Sequence, residues 1–527
     1  MSREYDDNQS LQHKIMRGAN VLANNVASTL GPRGRNVLLQ EKNKTPFITK
    51  DGVTVAHFVA LSDPIENAAA QVIKQAAVET NASAGDGTTT ATVLSRAILR
   101  ESQKFIVSGV APTELQRGIN LAVAEVVTNL QAMARPIQSA ADIQHIATIS
   151  ANNDEQIGTL IATAVDKVGQ DGSITIEESR SVETSIDITE GFGMPSGYCA
   201  GAFITDERRS VMYHEEPLIL VTDHKISSVE PILPILEMVA REGRPLIFVT
   251  EDIEGQALAA LIMNAMRGTL RVAAIKAPLY GEERRQTLED LALSVGATFV
   301  TRESGTKLQD VKLSDLGTAQ SIESNKYSTV IVGGKCDHEA VEARIQSLKA
   351  DIKNTESLPE CESIQGRITR LASGVAVIKV GGTTEVEMTE RKHRIEDALE
   401  AVRSAQEEGV VPGGGASILR ASLKIAVKTF SADQAYGAVI VRAACEEPIR
   451  QMALNAGMSP DLVVSEIVDT EQSSDLGWDF REQETVQLLK EGIIDPVKVT
   501  RTALQNAASC AGTLITTNYA IIQTEDN

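Results

Sequence analysis

"NASAGDGTTTATVL", residues 81–94, sets Asp86 between Gly85 and Gly87 and follows them with Thr88, Thr89 and Thr90, where an amphipathic helix begins. Glycines leading into a helix N-terminus make an anion cradle, because unpaired backbone N–H groups and the positive end of the helix dipole converge there. A carboxylate in that spot repels the same anion. Two readings follow: Asp86 caps the helix by accepting from the N–H of Thr88 or Thr89, or a cation sits between carboxylate and anion.

Helical patterns surround this stretch. Upstream, "LQHKIMRGANVLANNVASTL" repeats Ile15, Ala19, Leu22, Val26 and Leu30 at helical spacing and stops at Gly31-Pro32. "NVLLQ" and "PFITKDGVTVA" read as short strands around a polar turn, and helical stretches run from about 64 to 106 and from 113 to 133 before Pro136. The middle differs: from about 186 to 332 the strand-like runs "LILVTD", "PLIFVTED", "RVAAIKAP" and "ATFVT" alternate with helix-like segments, which predicts an α/β unit with a parallel or mixed sheet. "LASGVAVIKVGG" is a further strand, "TEVEMTERKHRIEDALEAVRSAQEEG" a long charged helix ending at Gly409, and the rest is helical until "GTLITTNYAIIQT", a strand pair or a helix-to-strand close. Helical ends flanking an α/β middle predict an inserted domain.

Composition narrows the function. A chain of 527 residues exceeds one compact core. Lys plus Arg number 50 against 71 Asp plus Glu, a net charge of −21, and aromatics are 3%, so neither nucleic acid nor an acidic membrane surface is an expected partner. The five cysteines are scattered and never in a CxxC pair, as free thiols in a reducing compartment would be, and no Cys/His cluster offers zinc. The N-terminus lacks an apolar leader core and no apolar run nears a membrane span, so the expected location is cytoplasmic.

Two middle helices carry more apolar residues than one buried stripe requires: "PILPILEMVA", with Leu233 and Leu236, and "ALAALIMNAM", with Leu258, Ile262 and Met263. They are either buried on both sides or present an apolar groove to partners. No GxxxxGK[ST] occurs, and "GFGMPSG" (191–197) misses the GxGxxG spacing. A nucleotide would therefore need another arrangement, for which "TLGPRGRN", "TKDGVTVA", GDGTTT, "VVPGGGAS" and "EDALEA" are candidates.

Taken together and in order, "TLGPRGRNVLL", "TKDGVTVA", "AGDGTTTATVL", "ATISANNDEQIG", "KVGQDGSITIEE", "MRGTLRVAAIKAP", "LASGVAVIKVGGTTEVEM", "RIEDALEAVRSAQEEGVVPGGG" and "DPVKVTRTALQNAAS" resemble the group I, GroEL-type chaperonins over nearly the whole chain. The resemblance implies an α+β multidomain fold: a helical equatorial ATP-binding domain from 1–133 and 409–527, an intermediate hinge domain from 134–190 and 376–408, and an apical α/β domain inserted at 191–375. It implies an ATPase with Mg²⁺ that folds non-native proteins within seven-membered homo-oligomeric rings, single or paired, under a GroES-type co-chaperonin lid.

By resemblance, Thr29, Leu30, Gly31, Pro32 and Lys50 belong to the nucleotide site, Gly87, Thr88, Thr89 and Thr90 to the phosphate cradle, and Asp86 is the magnesium ligand. Asp51 is a second carboxylate near the γ-phosphate, and Asp397 the intermediate-domain acid that activates water, so hydrolysis should require hinge closure. Gly414 and Asp495 match the base and ribose side, and Ser150 a further nucleotide contact. The polypeptide-binding positions are Tyr198, Phe203, Leu233, Leu236, Leu258, Ile262 and Met263, which favours the exposed groove.

The chain departs from the family pattern at five places. Asp479, Phe480 and Arg481 replace Asn-Ala-Ala at the base pocket, where Phe480 and Arg481 either crowd the base or turn outward. Ser196 replaces an arginine opposite Glu385, Met458 and Ser459 replace an acidic pair near retained Arg450, Ala202 replaces a groove aromatic, and the Gly-Gly-Met tail is missing. These changes fall on regulation and assembly, and imply a divergent paralogue. The alternative they raise is a holdase or specialised ring with weakened hydrolysis or altered cooperativity.

Overall fold

The computed structural model describes residues 2–41, 46–168, 174–179, 181–354, 358–372, 374–427, 430–469 and 475–524. The chain forms two compact units, one from 1–162 and 382–527 and the other from 163–381.

The first unit is helical. Helices Asn8–Ala27, Pro64–Ala84, Thr88–Val107, Pro112–Met133, Ala432–Asn455 and Val497–Ile515 pack around one core in which Ile15, Leu94, Ile98, Leu115, Ile119 and Leu504 are almost wholly buried. Removing such side chains from water stabilises each by about 1.5–3 kcal/mol. The two ends of the chain meet as antiparallel strands, Ser2–Asp7 against Tyr519–Thr524, so the last segment is a helix-to-strand close. A second antiparallel pair, Val410–Pro412 with Ile494–Pro496, lays the glycines that follow Pro412 beside Asp495.

One expectation fails here. "PFITKDGVTVA" is a strand only over Phe47–Thr49, paired with Val37–Leu39; "GVTVA" begins the helix Gly52–Phe58. Asp51 decides this by capping that helix, its side chain accepting from the N–H groups of Val53 and Thr54. The cap outweighs the strand preference of a short Val-Thr-Val run. The polar turn lies partly outside the described residues.

The second unit is α/β. Strands Leu218–Val221, Leu246–Thr250 and Val272–Lys276 are parallel and are joined through helices Leu233–Glu242 and Gly255–Arg267, with Gly317–Thr318 on the antiparallel edge. Their central residues are buried on both faces, which explains the near-continuous apolar runs in the sequence. "ATFVT" contributes only a single bridge, Val300 to Thr222, not a full strand. A mixed six-stranded sheet, which includes Ser185–Met194 and Gly374–Val380, makes the rest.

Candidate functional site

The glycines of the opening motif each do a distinct job. Gly85 ends the helix Pro64–Ala84 at φ 71°, and Gly87 starts the helix Thr88–Val107 at φ 84°. Both lie in the left-handed region that side chains disfavour. Between them the chain makes a sharp corner that points Asp86 inward.

Asp86 does not cap the helix, contrary to the first reading of the motif. Its Oδ1 accepts from the Gly87 N–H at 2.5 Å and its Oδ2 from the Ser150 hydroxyl at 2.9 Å. Gly87 is the N-cap, and no side-chain cap takes the first-turn N–H groups. The cradle therefore keeps its donors for a ligand.

Carboxylates crowd this end of the site. Burial pushes the Asp86 carboxyl well above the usual range, Asp51 adds to the rise, and the bonds from Gly87 and Ser150 offset part of it. Asp495 is pushed up to about 7, first by burial and then by Asp86, against the N–H groups of Gly414 and Gly415 that hold its charged form. Asp51 accepts from Val53 N–H at 3.1 Å, from Thr54 N–H at 3.0 Å and from the Thr54 hydroxyl at 2.5 Å. Its helix start abuts the other helix start: a Cβ on Gly52 would lie 2.4 Å from Thr89 Oγ1. Only glycine allows that approach.

Cations stand alongside. Lys50 donates to the Gly31 carbonyl at 3.1 Å, and its pKa is lowered by burial and by nearby Arg394, with Glu390 opposing. On the helix Glu385–Glu408, the residues Glu390, Arg394, Asp397 and Ala401 recur at spacings of three and four and share the face that lines the cavity. Arg394 is anchored to Asp154 at 3.0 Å and Glu390 at 2.7 Å.

These groups line one cavity of about 300 Å³ within the first unit. Thr29, Leu30, Gly31, Pro32, Lys50, Asp51, Asp86, Gly87, Thr88, Thr89, Thr90, Ser150, Asp397, Gly414 and Asp495 all line it. Asp397 belongs to the same compact unit as the cradle, so here the three carboxylates Asp51, Asp86 and Asp397 already face one space.

The cavity's other end is walled by carbon. Phe480 and Met452 are buried, and Leu30, Trp478 and Ile493 pack against the same cluster. Phe480 thus neither crowds the cavity as a free side chain nor turns outward; it is 3% exposed and belongs to the wall. Arg33 fastens this wall, donating through Nε to the Phe480 carbonyl at 3.0 Å and through Nη2 to the Arg481 carbonyl at 2.6 Å.

Sequence reasoning overlooked Glu390, Arg394, Met452 and Trp478. Arg394 and Glu390 were within reach, since they lie three and seven residues before Asp397 on one helical face. Met452 and Trp478 carry no such signal, because tertiary packing alone brings them to the cavity.

The expected polypeptide-binding residues divide. Leu233 is 48% and Met263 47% exposed, and Met266, outside the expected set, is 72% exposed. Leu258, Ile262 and Tyr198 are half-buried against the core of the second unit, Tyr198 donating its hydroxyl to the Ser210 carbonyl at 3.1 Å. Phe203 and Leu236 are buried at 3% and 5% and serve as core. Each helix has an inner stripe and an outer one, because Ile235 and Val239, and Ala257 and Leu261, already satisfy the sheet.

The five cysteines are free thiols. Among the described residues no helix is long and apolar enough to cross a membrane, and no group of three or more His, Cys, Asp or Glu converges as a metal cluster.

The sequence profile of the TCP-1/cpn60 chaperonin family matches residues 22–525. Among solved structures, the chain is similar to the chaperonin gp146 from the bacteriophage EL 2 (Pseudomonas aeruginosa), crystallised in the presence of ATP-BeFx. The two share 22% identity at a TM-score of 0.67, with 99% of each chain covered. At that identity the likeness establishes the fold.

Proposed function

The chain belongs to the TCP-1/cpn60 chaperonin family, and we propose that it is an ATP-hydrolysing chaperonin that binds non-native polypeptides on its α/β unit. The observation that carries the nucleotide part is the single cavity in which an undercapped helix N-terminus faces Asp51, Asp86 and Asp397.

The residues fit a magnesium nucleotide. A triphosphate placed on the N–H groups of Thr88, Thr89 and Thr90 would meet the carboxylate of Asp86, and the two tolerate each other only with a divalent cation between them. Magnesium is usually held by one or two carboxylates plus phosphates and water, so a cluster of protein ligands is not needed. When bound, the ion neutralises charge on the phosphates undergoing transfer. Asp86, whose ionised form is disfavoured by burial and by Asp51, is the group such an ion would stabilise. Lys50, half-buried and held by its bond to the Gly31 carbonyl, would meet the phosphates with its ammonium group.

Asp397 is the residue proposed to orient the attacking water and accept its proton. Its helix carries it on the same face as Arg394, whose tie to Asp154 fixes that helix beside Ser150 and Asp86. Asp51 spends its oxygens on the helix start and so acts as a fixed negative wall rather than a mobile base. Carbon walls from Leu30, Met452, Phe480 and Ile493 suit the faces of a nucleotide base.

The proposed division assigns 1–133 and 409–527 to the equatorial domain, 134–190 and 376–408 to the intermediate domain and 191–375 to the apical domain. Leu233, Ile262, Met263 and Met266 offer the apolar surface for non-native chains, Met adding adaptability. Homo-oligomeric seven-membered rings and a GroES-type lid complete the reading, by family. The test is steady-state phosphate release, with and without magnesium, by the protein and by Asp397→Ala. Turnover that depends on magnesium and falls at least tenfold in the variant supports it; equal rates in the two would overturn it.

A further inference from the structure

The helix Glu385–Glu408, which carries Asp397, is seated on the corner that carries Asp86. Asp397, Glu400 and Ser404 lie three and four residues apart and so share one face of that helix. Each meets the corner or its cavity. Asp397 lines the cavity, Glu400 packs against Gly85 so closely that a Cβ there would lie 2.0 Å from the Glu400 Cβ, and the Ser404 hydroxyl donates to the Ala84 carbonyl at 2.8 Å. Successive turns of one helix thus rest on Ala84 and Gly85, the two residues that lead into Asp86.

The bond to Ala84 meets a need that the backbone leaves open. Ala84 is the last residue of the helix Pro64–Ala84, so its carbonyl is one that no later turn of that helix can satisfy. The Gly85 N–H turns back to the Asn81 carbonyl at 2.8 Å, and among the described residues no backbone N–H reaches Ala84. Ala84 and Ser404 are each 2% exposed, so the carbonyl is shielded from water and the Ser404 hydroxyl is its partner. The other ties of the same helix differ in kind. Arg394 to Asp154 at 3.0 Å, Lys498 to Glu407 at 2.6 Å and Arg501 Nε to Glu408 at 2.7 Å join long, partly exposed side chains that can follow a shift of the helix. A short hydroxyl on a buried backbone carbonyl cannot.

We infer that Ser404 is a positioning residue for Asp397: its hydroxyl sets the register of the helix Glu385–Glu408 on the Ala84–Gly85 corner and so holds Asp397 at its place in the cavity. This rests on the proposed role of Asp397 in orienting water. Ser404 and Asp397 are two turns apart, about 10 Å along the helix, on one rigid element. Without the hydroxyl, seating the helix buries an acceptor that has no donor, which favours lifting the helix until water reaches Ala84. Asp397 moves with it, and a small misplacement of a group that orients the attacking water lowers the rate steeply. The cradle itself does not depend on this contact, because its N–H groups belong to the start of the helix Thr88–Val107 and Asp86 is held by Gly87 and Ser150.

The test is Ser404→Ala in the intact protein, alone and combined with Asp397→Ala. The inference expects kcat for ATP with magnesium to fall about tenfold, while KM and the dissociation constant of ADP, read by isothermal titration calorimetry, stay within about threefold. In the Asp397→Ala background the same substitution should lower the residual rate less than about twofold, since Ser404 acts through Asp397. In the nucleotide-free protein, amide hydrogen exchange should quicken about threefold or more within Glu385–Glu408 and stay unchanged within Thr88–Val107. An unchanged kcat, an equally large further loss in the Asp397→Ala background, a parallel loss of ADP affinity, or unchanged exchange in Glu385–Glu408 would each overturn the inference and leave the nucleotide reading standing. Absence of magnesium-dependent turnover in the unaltered protein, or turnover indifferent to Asp397→Ala, overturns the proposed reaction and the inference with it.

Discussion

Replacing Asp86 by asparagine separates a nucleotide site from a structural corner, because the two roles predict opposite signs for stability. The asparagine can keep both contacts: its oxygen accepts from the Gly87 N–H now held at 2.5 Å, and its amide donates to the Ser150 hydroxyl now at 2.9 Å. What it removes is a buried charge beside Asp51 and Asp495. The cost of that charge is visible in Asp495, whose pKa rises from the ordinary 3.8 to about 7. At about 1.4 kcal/mol per pH unit that rise is worth roughly 4 kcal/mol, and repulsion by Asp86 is its second cause after burial. Relief of this repulsion at pH 8 should therefore stabilise the protein by about 1–2 kcal/mol.

Measured by thermal melting in EDTA at pH 8, Asp86→Asn should melt roughly 2–6 °C higher than the unaltered protein, following the scaling for units of a few hundred residues. The gain should shrink toward pH 6, where Asp495 takes up its proton. Magnesium-dependent phosphate release should fall about 100-fold or more, as losses of a charge-stabilising group at the reacting phosphates generally do. A more stable but inactive protein is the signature of a site that holds like charges together for a ligand. A variant that melts lower at pH 8 and turns over normally per folded subunit would refute the argument and return Asp86 to a structural role.

Asp51 should divide its two duties by substitution: Asp51→Ala should lose about 1 kcal/mol with the N-cap, whereas Asp51→Ser should keep stability within about 0.5 kcal/mol, read by urea melts, while both lose most of the ATP turnover. Asp495 gives a pH dependence of the nucleotide-free protein: its folded pKa is raised, so its contribution is full below about pH 4 and is lost as pH rises through about 7. The difference in stability between Asp495→Asn and the unaltered protein should therefore widen in the variant's favour from pH 5 to 8 and then level, and a flat difference in EDTA would contradict it. Gly87→Ala should destabilise by about 2 kcal/mol or more, since it adds left-handed strain at φ 84° and a Cβ 2.7 Å from Val499 Cγ1; an unchanged melting curve would be inconsistent with that corner. On the α/β unit, Leu233→Ser with Met263→Ser should leave the melting temperature within about 2 °C and reduce capture of a denatured test protein in an aggregation assay. Leu236→Ala should instead cost about 2–5 kcal/mol because that side chain is core.

Legibility in the sequence followed the physical range of each signal. The parallel strands Leu218–Val221, Leu246–Thr250 and Val272–Lys276 were readable because burial on both faces turns each into an unbroken apolar run, and no distant residue can cancel that pattern. The strand over "GVTVA" was misread because one capping carboxylate, Asp51, outweighs the β preference of three residues, and the competition is settled by hydrogen bonds to Val53 and Thr54 rather than by composition. Asp86 showed the reverse difficulty. Its neighbours announced a helix start, yet whether the carboxylate caps that start depends on Ser150, which lies 64 residues away and holds the second oxygen. The carbon wall was least readable of all: Phe480 looks like an obstruction in sequence, and becomes lining only because Met452 and the Arg33 clamp fix where its backbone and ring can go. Local signals thus located the helix-start end of the cavity, where glycine, cap and helix share one short stretch. The carbon-walled end is assembled from Leu30, Met452, Phe480 and Ile493, which no spacing rule connects, so only the folded chain brings them together.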